Sequence, residues 1–139
     1  MYSDEEVMTP EDLVALIDHA ESGDPISCIT LGRLYYMGIC VPCDIGLAEA
    51  MYYSAELSGD ADALRMLGSM YLNGDCAPMN SEQAARLFHK AAQKNDPLSQ
   101  YYIGQMYREG IGVESSASKA NLWLSRAAKN GIRMVAAKA

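Results

Sequence analysis

Four cysteines and two histidines carry most of the reactive side-chain chemistry in these 139 residues. Cys40-Val41-Pro42-Cys43 has the spacing of a dithiol redox pair, and Cys40, Cys43 and Cys76 together offer zinc three thiolates. Each chemistry makes a further demand. A redox pair needs its first thiol activated at a helix N-terminus in a βαβ setting. Here the pair falls in a loop between two helical segments, and the three thiols lack an evident fourth metal ligand. His19 and His89 occupy different helical phases, with no Ser or Cys placed to complete a triad, so both read as surface or partly packed residues. The expectation is reduced thiols, no metal, no cofactor and no catalytic residue. Stoichiometric zinc in the purified protein would revive the thiol-redox or zinc-binding alternative.

The elements that must position these side chains repeat every 36 residues. Gly32, Gly68 and Gly104 fall in register, as do Tyr35, Tyr71 and Tyr107, and then Gly38, Gly74 and Gly110. Ala48, Ala84 and Ala120 follow, then Ala55, Ala91 and Ala127. Looser matches join Leu31, Leu67 and Ile103, and also Met51, Leu87 and Trp123. A fixed period of this size marks one supersecondary unit copied along an axis. Cys40 and Cys76 lie one period apart, and packed neighbouring helices are roughly 8–10 Å apart, too far for a comfortable disulfide.

Each period reads as two antiparallel helices. In the first, Ile26, Ile29, Leu31, Leu34 and Tyr35 recur at helical spacing over 25–37. A mid-helix Gly costs about 1 kcal/mol relative to Ala. Accepting it three times at one phase implies a close approach by the second helix, whose small residues there are Ala48, Ala84 and Ala120. Gly38, Gly74 and Gly110 close the first helix in the left-handed conformation. Asp44, Asn80 and Ser116 are N-cap types for the second, and Asn80 with Gln83 has capping-box spacing. Asp24-Pro25 and Asp96-Pro97 set a cap before Pro at the first helical position, and Asp60 opens the middle unit without Pro. Thr9-Pro10-Glu11-Asp12 begins a lone half-repeat helix over 11–22 that ends at Gly23, in register with Gly59 and Gly131. The segment from Ile132 to Ala139 reads as the opening of another helix that does not finish. The organisation is one array: half-repeat 11–22, repeats 25–60, 61–96 and 97–132, and a tail 133–139.

These units resemble the Sel-1-like repeat, a relative of the tetratricopeptide repeat. The third carries the pattern best: Ile103-Gly104, Tyr107, Gly110-Ile111-Gly112-Val113, Lys119-Ala120, Trp123 and Ala127-Ala128. Departures are local. The second loop glycine is Cys40 in the first unit and Cys76 in the second, which strains those loops if the position needs a positive φ. The Lys before Ala is Leu47 and Gln83. The resemblance implies an all-α fold, a right-handed αα-superhelix (solenoid) of three repeats with an N-terminal capping helix and the first helix of each repeat on a concave face. It also implies a non-catalytic scaffold for protein–protein interaction, of a kind common in bacterial signalling, envelope and secretion systems.

On that reading, first-helix positions outside the seam face the groove. These are Ile29, Arg33, Tyr36 and Met37, then Arg65, Ser69, Leu72 and Asn73, then Tyr101, Gln105, Arg108 and Glu109. In related tetratricopeptide grooves such positions hold peptide backbones and terminal carboxylates. Three arginines beside Asn, Gln and Tyr suit an acidic or carboxylate-terminated peptide or protein partner through charge-assisted hydrogen bonds. The competing arrangement is a homodimer that pairs exposed seams at the C-terminal end.

Composition narrows the partner class. With 11 Lys and Arg against 18 Asp and Glu, the formal net charge is −7. Phosphate binding depends on basic side chains releasing counterions, so a nucleic-acid partner is not expected. No stretch approaches the roughly 20 apolar residues that cross a bilayer. The acidic start, Met1 to Glu6, lacks the order of a signal peptide, which points to a soluble, cytoplasmic protein with no membrane partner.

Overall fold

The structure is a computed structural model, which describes residues 8–133. Among the described residues there are seven α-helices and no strand. They are α1 (Pro10–Glu21), α2 (Pro25–Met37), α3 (Ile45–Ser58), α4 (Ala61–Asn73), α5 (Ser81–Gln93), α6 (Pro97–Glu109) and α7 (Ala117–Lys129). The helices fall into two compact units that divide between Ser58 and Gly59. In the first, α2 and α3 form a helical hairpin and α1 packs on α2. In the second, α4–α5 and α6–α7 are hairpins of the same kind, and α5 packs on α6. Met1 to Val7 and the tail beyond Arg133 lie outside the described residues, and Ile132 and Arg133 are not helical.

Local chemistry sets every helix start. Asp24, Asp60 and Asp96 each accept from the backbone N–H three residues on, at 3.0 Å. Asp44 and Asn80 do the same at 3.0 Å, and Ser116 at 3.3 Å. Thr9 and Asp12 form a full capping box at α1: the Asp12 amide donates to Thr9 Oγ1, and the Thr9 amide to Asp12 Oδ2. The reciprocal box expected at Asn80 and Gln83 does not form. Its reason lies in the loop, where the Asn80 amide already donates to the Tyr71 carbonyl at 2.8 Å. Asp44 and Ser116 make the same bond to Tyr35 and Tyr107, so the repeated tyrosine supplies its carbonyl to cap closure. Gln83 turns away and accepts from Arg86 Nε.

Left-handed residues end the helices in register. Gly38, Gly74 and Gly110 have φ of 68°, 68° and 69°, a conformation that costs glycine nothing. Their amides reach back to Leu34, Met70 and Met106, and so do those of Ile39, Asp75 and Ile111.

The mid-helix glycines mark a close approach, as their spacing predicts, with a different side chain filling it. A methyl group on Gly32 would sit 2.6 Å from Tyr52 Cε1, on Gly68 3.0 Å from Phe88 Cε1, and on Gly104 2.8 Å from Leu124 Cγ. Tyr52, Phe88 and Leu124 are themselves 36 residues apart and buried. Glycine therefore makes room for a large side chain, while Ala48, Ala84 and Ala120 bring the two backbones together one turn away. Phe88, Ile103, Met106 and Trp123 form the core of the second unit with Ala84, Ala85 and Ala92.

Candidate protein-interaction site

The cysteines are accounted for by register. None is in a disulfide. The buried Cys28 thiol donates to the Ala20 carbonyl at 3.4 Å. Two repeats on, buried Gln100 donates to the Ala92 carbonyl at 3.1 Å and accepts from Asn130 Nδ2 at 2.8 Å. In the first and third repeats this position ties the preceding helix end down with a side-chain donor, and in the middle repeat it is Leu64, which has none. Burial, with help from the Asp24 carboxylate, pushes the Cys28 thiol up, which holds it protonated as that bond requires. Cys43 donates to the Tyr36 carbonyl at 3.5 Å, and its register partner Ser115 to the Arg108 carbonyl at 3.4 Å. Cys40 and Cys76 stand at the left-handed loop position, with φ of 65° and 56° against 70° at Gly112. The Cys40–Cys43 spacing therefore arises from two independent loop positions. Among the described residues no group of three His, Cys, Asp or Glu is placed to hold a metal ion. His89 lies edge-on to Trp123 with centroids 5.4 Å apart, and His19 is exposed.

The helix positions assigned to a groove divide into used and available groups. In the first unit Ile29 has no exposed surface and belongs to the core, which corrects its assignment as a contact residue. An isoleucine inside an amphipathic turn is drawn in by its own burial energy, of order 2 kcal/mol. Arg33 and Tyr36 are half-buried, and Met37 is 48% exposed. In the second unit Arg65 is engaged twice within the fold, by Asp96 Oδ1 at 2.7 Å and by Asp62 Oδ1 at 3.0 Å. Asp96 is also the cap of α6, so Arg65 ties α4 to the start of that helix. Its guanidinium is held in the charged form against the pull of desolvation by those two carboxylates. Ser69, Tyr101 and Gln105 are half-buried, while Asn73, Arg108 and Glu109 are exposed. Gln105 Nε2 donates to Tyr101 Oη at 2.9 Å, and Gln105 Oε1 is buried without a partner. The structure thus brings Tyr101 and Gln105 together and takes Ile29 out of the set.

Sequence comparison assigns this architecture. The Sel1 repeat model matches residues 25–60, 61–96 and 97–132. The chain belongs to the Sel1 repeat family. No curated protein matched it. Among solved structures it is similar to a Sel1 repeat protein from Oxalobacter formigenes, at 30% identity and TM-score 0.68, over 88% of this chain and 92% of that one. It is also similar to c5321, a protective antigen of uropathogenic Escherichia coli with an SLR fold, at 33% identity and TM-score 0.71. That match takes in 86% of this chain but only 26% of the antigen. Helicobacter pylori cysteine rich protein B shares the fold at 19% identity and TM-score 0.61, with 88% of this chain and 87% of that one covered. The fold class is an all-α αα-superhelix of Sel1 repeats. Sel1 repeats mediate protein–protein interaction and are typically non-catalytic modules. No described helix is long and apolar enough to cross a membrane.

One surface of the second and third Sel1 repeats was not singled out by sequence reasoning. Glu82, Ala85, Arg86, His89 and Lys90 of α5 meet Ile103 and Tyr107 of α6 and the loop at Gly112–Val113 around a cleft of about 370 Å³. Lys119 lies over the Tyr107 ring at 5.5 Å, and Arg126 over Trp123 at 4.8 Å. The cleft departs from the repeat, since α3 carries Ala50 and Ser54 where α5 carries Arg86 and Lys90. The signal was available as the uneven placement of basic residues along the chain.

Proposed function

We propose that this Sel1 repeat protein acts as a binding scaffold that takes an extended peptide segment of a protein partner on the exposed faces of its first helices. The observation that supports this most directly is the Tyr101–Gln105 pair in the second unit. A hydroxyl and an amide of two half-buried side chains are held together at 2.9 Å on α6 by the bond from Gln105 Nε2 to Tyr101 Oη. Such a pair suits a peptide backbone, which offers a donor and an acceptor at each residue. Exposed Arg108 one turn on and Asn73 on α4 add a cation and a second amide, which favours a peptide ending in, or rich in, carboxylates. Arg65 contributes less than its charge suggests, because Asp62 and Asp96 already neutralise it. In the first unit Arg33, Tyr36 and Met37 are the corresponding contact residues.

Selection of peptides from a displayed random library against the full chain tests this reading. Selected peptides are expected to be acidic or to carry a free C-terminal carboxylate. They should bind a Tyr101→Ala, Gln105→Ala, Arg108→Ala variant at least tenfold more weakly, about 1.4 kcal/mol. Equal binding by the variant overturns the assignment of this face.

A further inference from the structure

The charges of the chain are sorted along its length. Residues 1–58 hold eleven Asp and Glu against a single basic residue, Arg33, a net charge of −10. Residues 59–139 hold ten Lys and Arg against seven Asp and Glu, a net charge of +3. The net charge of −7 therefore conceals two units of opposite sign.

Each unit also presents a shaped surface of its own sign. On α1, Leu13, Leu16, Ile17 and Ala20 form the more buried stripe. The opposite stripe, Pro10, Glu11, Val14, Ala15 and Asp18, borders a hollow of about 340 Å³ in which Val14 is 58% exposed. It is an apolar ridge edged by carboxylates. The α5–α6 cleft is the reverse: a floor of Ala85, Ile103 and Val113 edged by Arg86 and Lys90, with Lys119 and Arg126 on α7 beyond its aromatic rings. Its acidic member is Glu82, which stands one turn before Arg86.

We infer that the α5–α6 cleft receives the acidic face of α1 from a second copy of this chain, giving a head-to-tail association. Such a contact joins two different patches and is heterologous. It also differs from a pairing of C-terminal seams and involves none of the helix faces assigned to peptide binding. Screening decides whether attraction wins. Two copies of net charge −7 repel as wholes, but at 0.1 M salt the Debye length is about 10 Å, so only charges near the contact are felt. There Glu11 and Asp18 face Arg86 and Lys90, and the sign is attractive. At about 1 M salt the length falls to about 3 Å and the local attraction goes as well. Burial of Val14 against the cleft floor adds a salt-independent part, and one helix face seated in one cleft makes a contact of the weak, transient class.

Sedimentation velocity on the full chain, from about 10 µM to about 1 mM, reads this out. At about 0.1 M salt the weight-average mass should rise with concentration, and at about 1 M salt the rise should shrink. Arg86→Glu with Lys90→Glu should leave a monomer throughout, and so should Glu11→Lys with Asp18→Lys. Mixing the two variants should restore association, because each then offers what the other lacks, and that recovery also shows that both are folded. A concentration-independent monomer for the unaltered chain overturns the inference. So does association that survives in either variant alone, or a mixture that stays monomeric.

Discussion

Replacing Gly104 by Ala sets two well-measured effects against each other in one methyl group. Gly104 is in the interior of α6, where Ala is favoured by about 0.8–1 kcal/mol on propensity alone. Its new methyl would lie 2.8 Å and 2.9 Å from Leu124 Cγ and Cδ2, and 3.3 Å from the Leu124 backbone nitrogen. Carbon atoms pack at about 3.5–4.0 Å, so α6 and α7 must part by roughly 0.7 Å or Leu124 must leave its rotamer. Overfilling a packed site in this way costs typically about 1–3 kcal/mol. Crowding wins, and Gly104→Ala should destabilise the protein by about 1 kcal/mol net.

Gly46 supplies the control. It is exposed in the first turn of α3, and its nearest contact would be Asp44 Oδ1 at 3.4 Å, an ordinary distance. Gly46→Ala should therefore stabilise, by up to about 1 kcal/mol. Urea unfolding followed by circular dichroism would compare the midpoints. A double-mutant cycle with Leu124→Ala adds a second check. Removing the leucine side chain leaves a space that the methyl introduced by Gly104→Ala partly fills, so the coupling should favour the double variant by about 1–2 kcal/mol. If Gly104→Ala stabilises as Gly46→Ala does, or if the coupling is nil, the glycine phase does not mark helix contact and the argument fails.

The left-handed loop position gives a second prediction. Cys40 is exposed at φ 65°, a conformation that costs a non-glycine residue about 1–2 kcal/mol, so Cys40→Gly should raise stability by about 0.5–1 kcal/mol after the entropy glycine loses. The reverse change, Gly112→Ala, drives a methyl into the Ser81 carbonyl oxygen at positive φ and should cost at least about 2 kcal/mol. Both are read from denaturation midpoints, and a destabilised Cys40→Gly would sink the reasoning. A third prediction concerns acid. The Ser27 hydroxyl, then the Ser27 amide, hold the Asp24 carboxyl below its ordinary range. A lowered folded value means the cap contributes fully above the unfolded value near 4 and is lost as pH falls through the folded value. An NMR titration should place the Asp24 midpoint below that of an unstructured Asp, and Ser27→Ala should move it upward; an unmoved midpoint contradicts the hydroxyl as chief cause.

What sequence alone could show here was whatever depends on near neighbours. Asp before Pro, glycine at the helix end, and a cap residue at the second helix are local requirements, and every one of those positions adopts the conformation its residue type implies. Repetition carried the reading further, because a cost accepted three times at one phase implies a common cause. It could not name the side chain that exploits the space: Tyr52, Phe88 and Leu124 differ in type and share only a place in three dimensions. The same limit explains the rest. Gln83 has the spacing of a capping box, but a carbonyl nine residues before Asn80 takes the amide it would serve. Arg65 has the phase of a contact residue, but an aspartate 31 residues on holds it. Ile29, one repeat before Arg65, is buried at that same phase. One helical phase thus carries a core isoleucine, a bridging arginine and a half-buried tyrosine in successive repeats. Phase fixes where a side chain leaves the helix; what it then meets is set by the neighbouring helix, and there the repeats are least alike. The positions that give one Sel1 repeat protein its own partners should be sought at such phases, where the scaffold holds the backbone constant and leaves the side chain to vary.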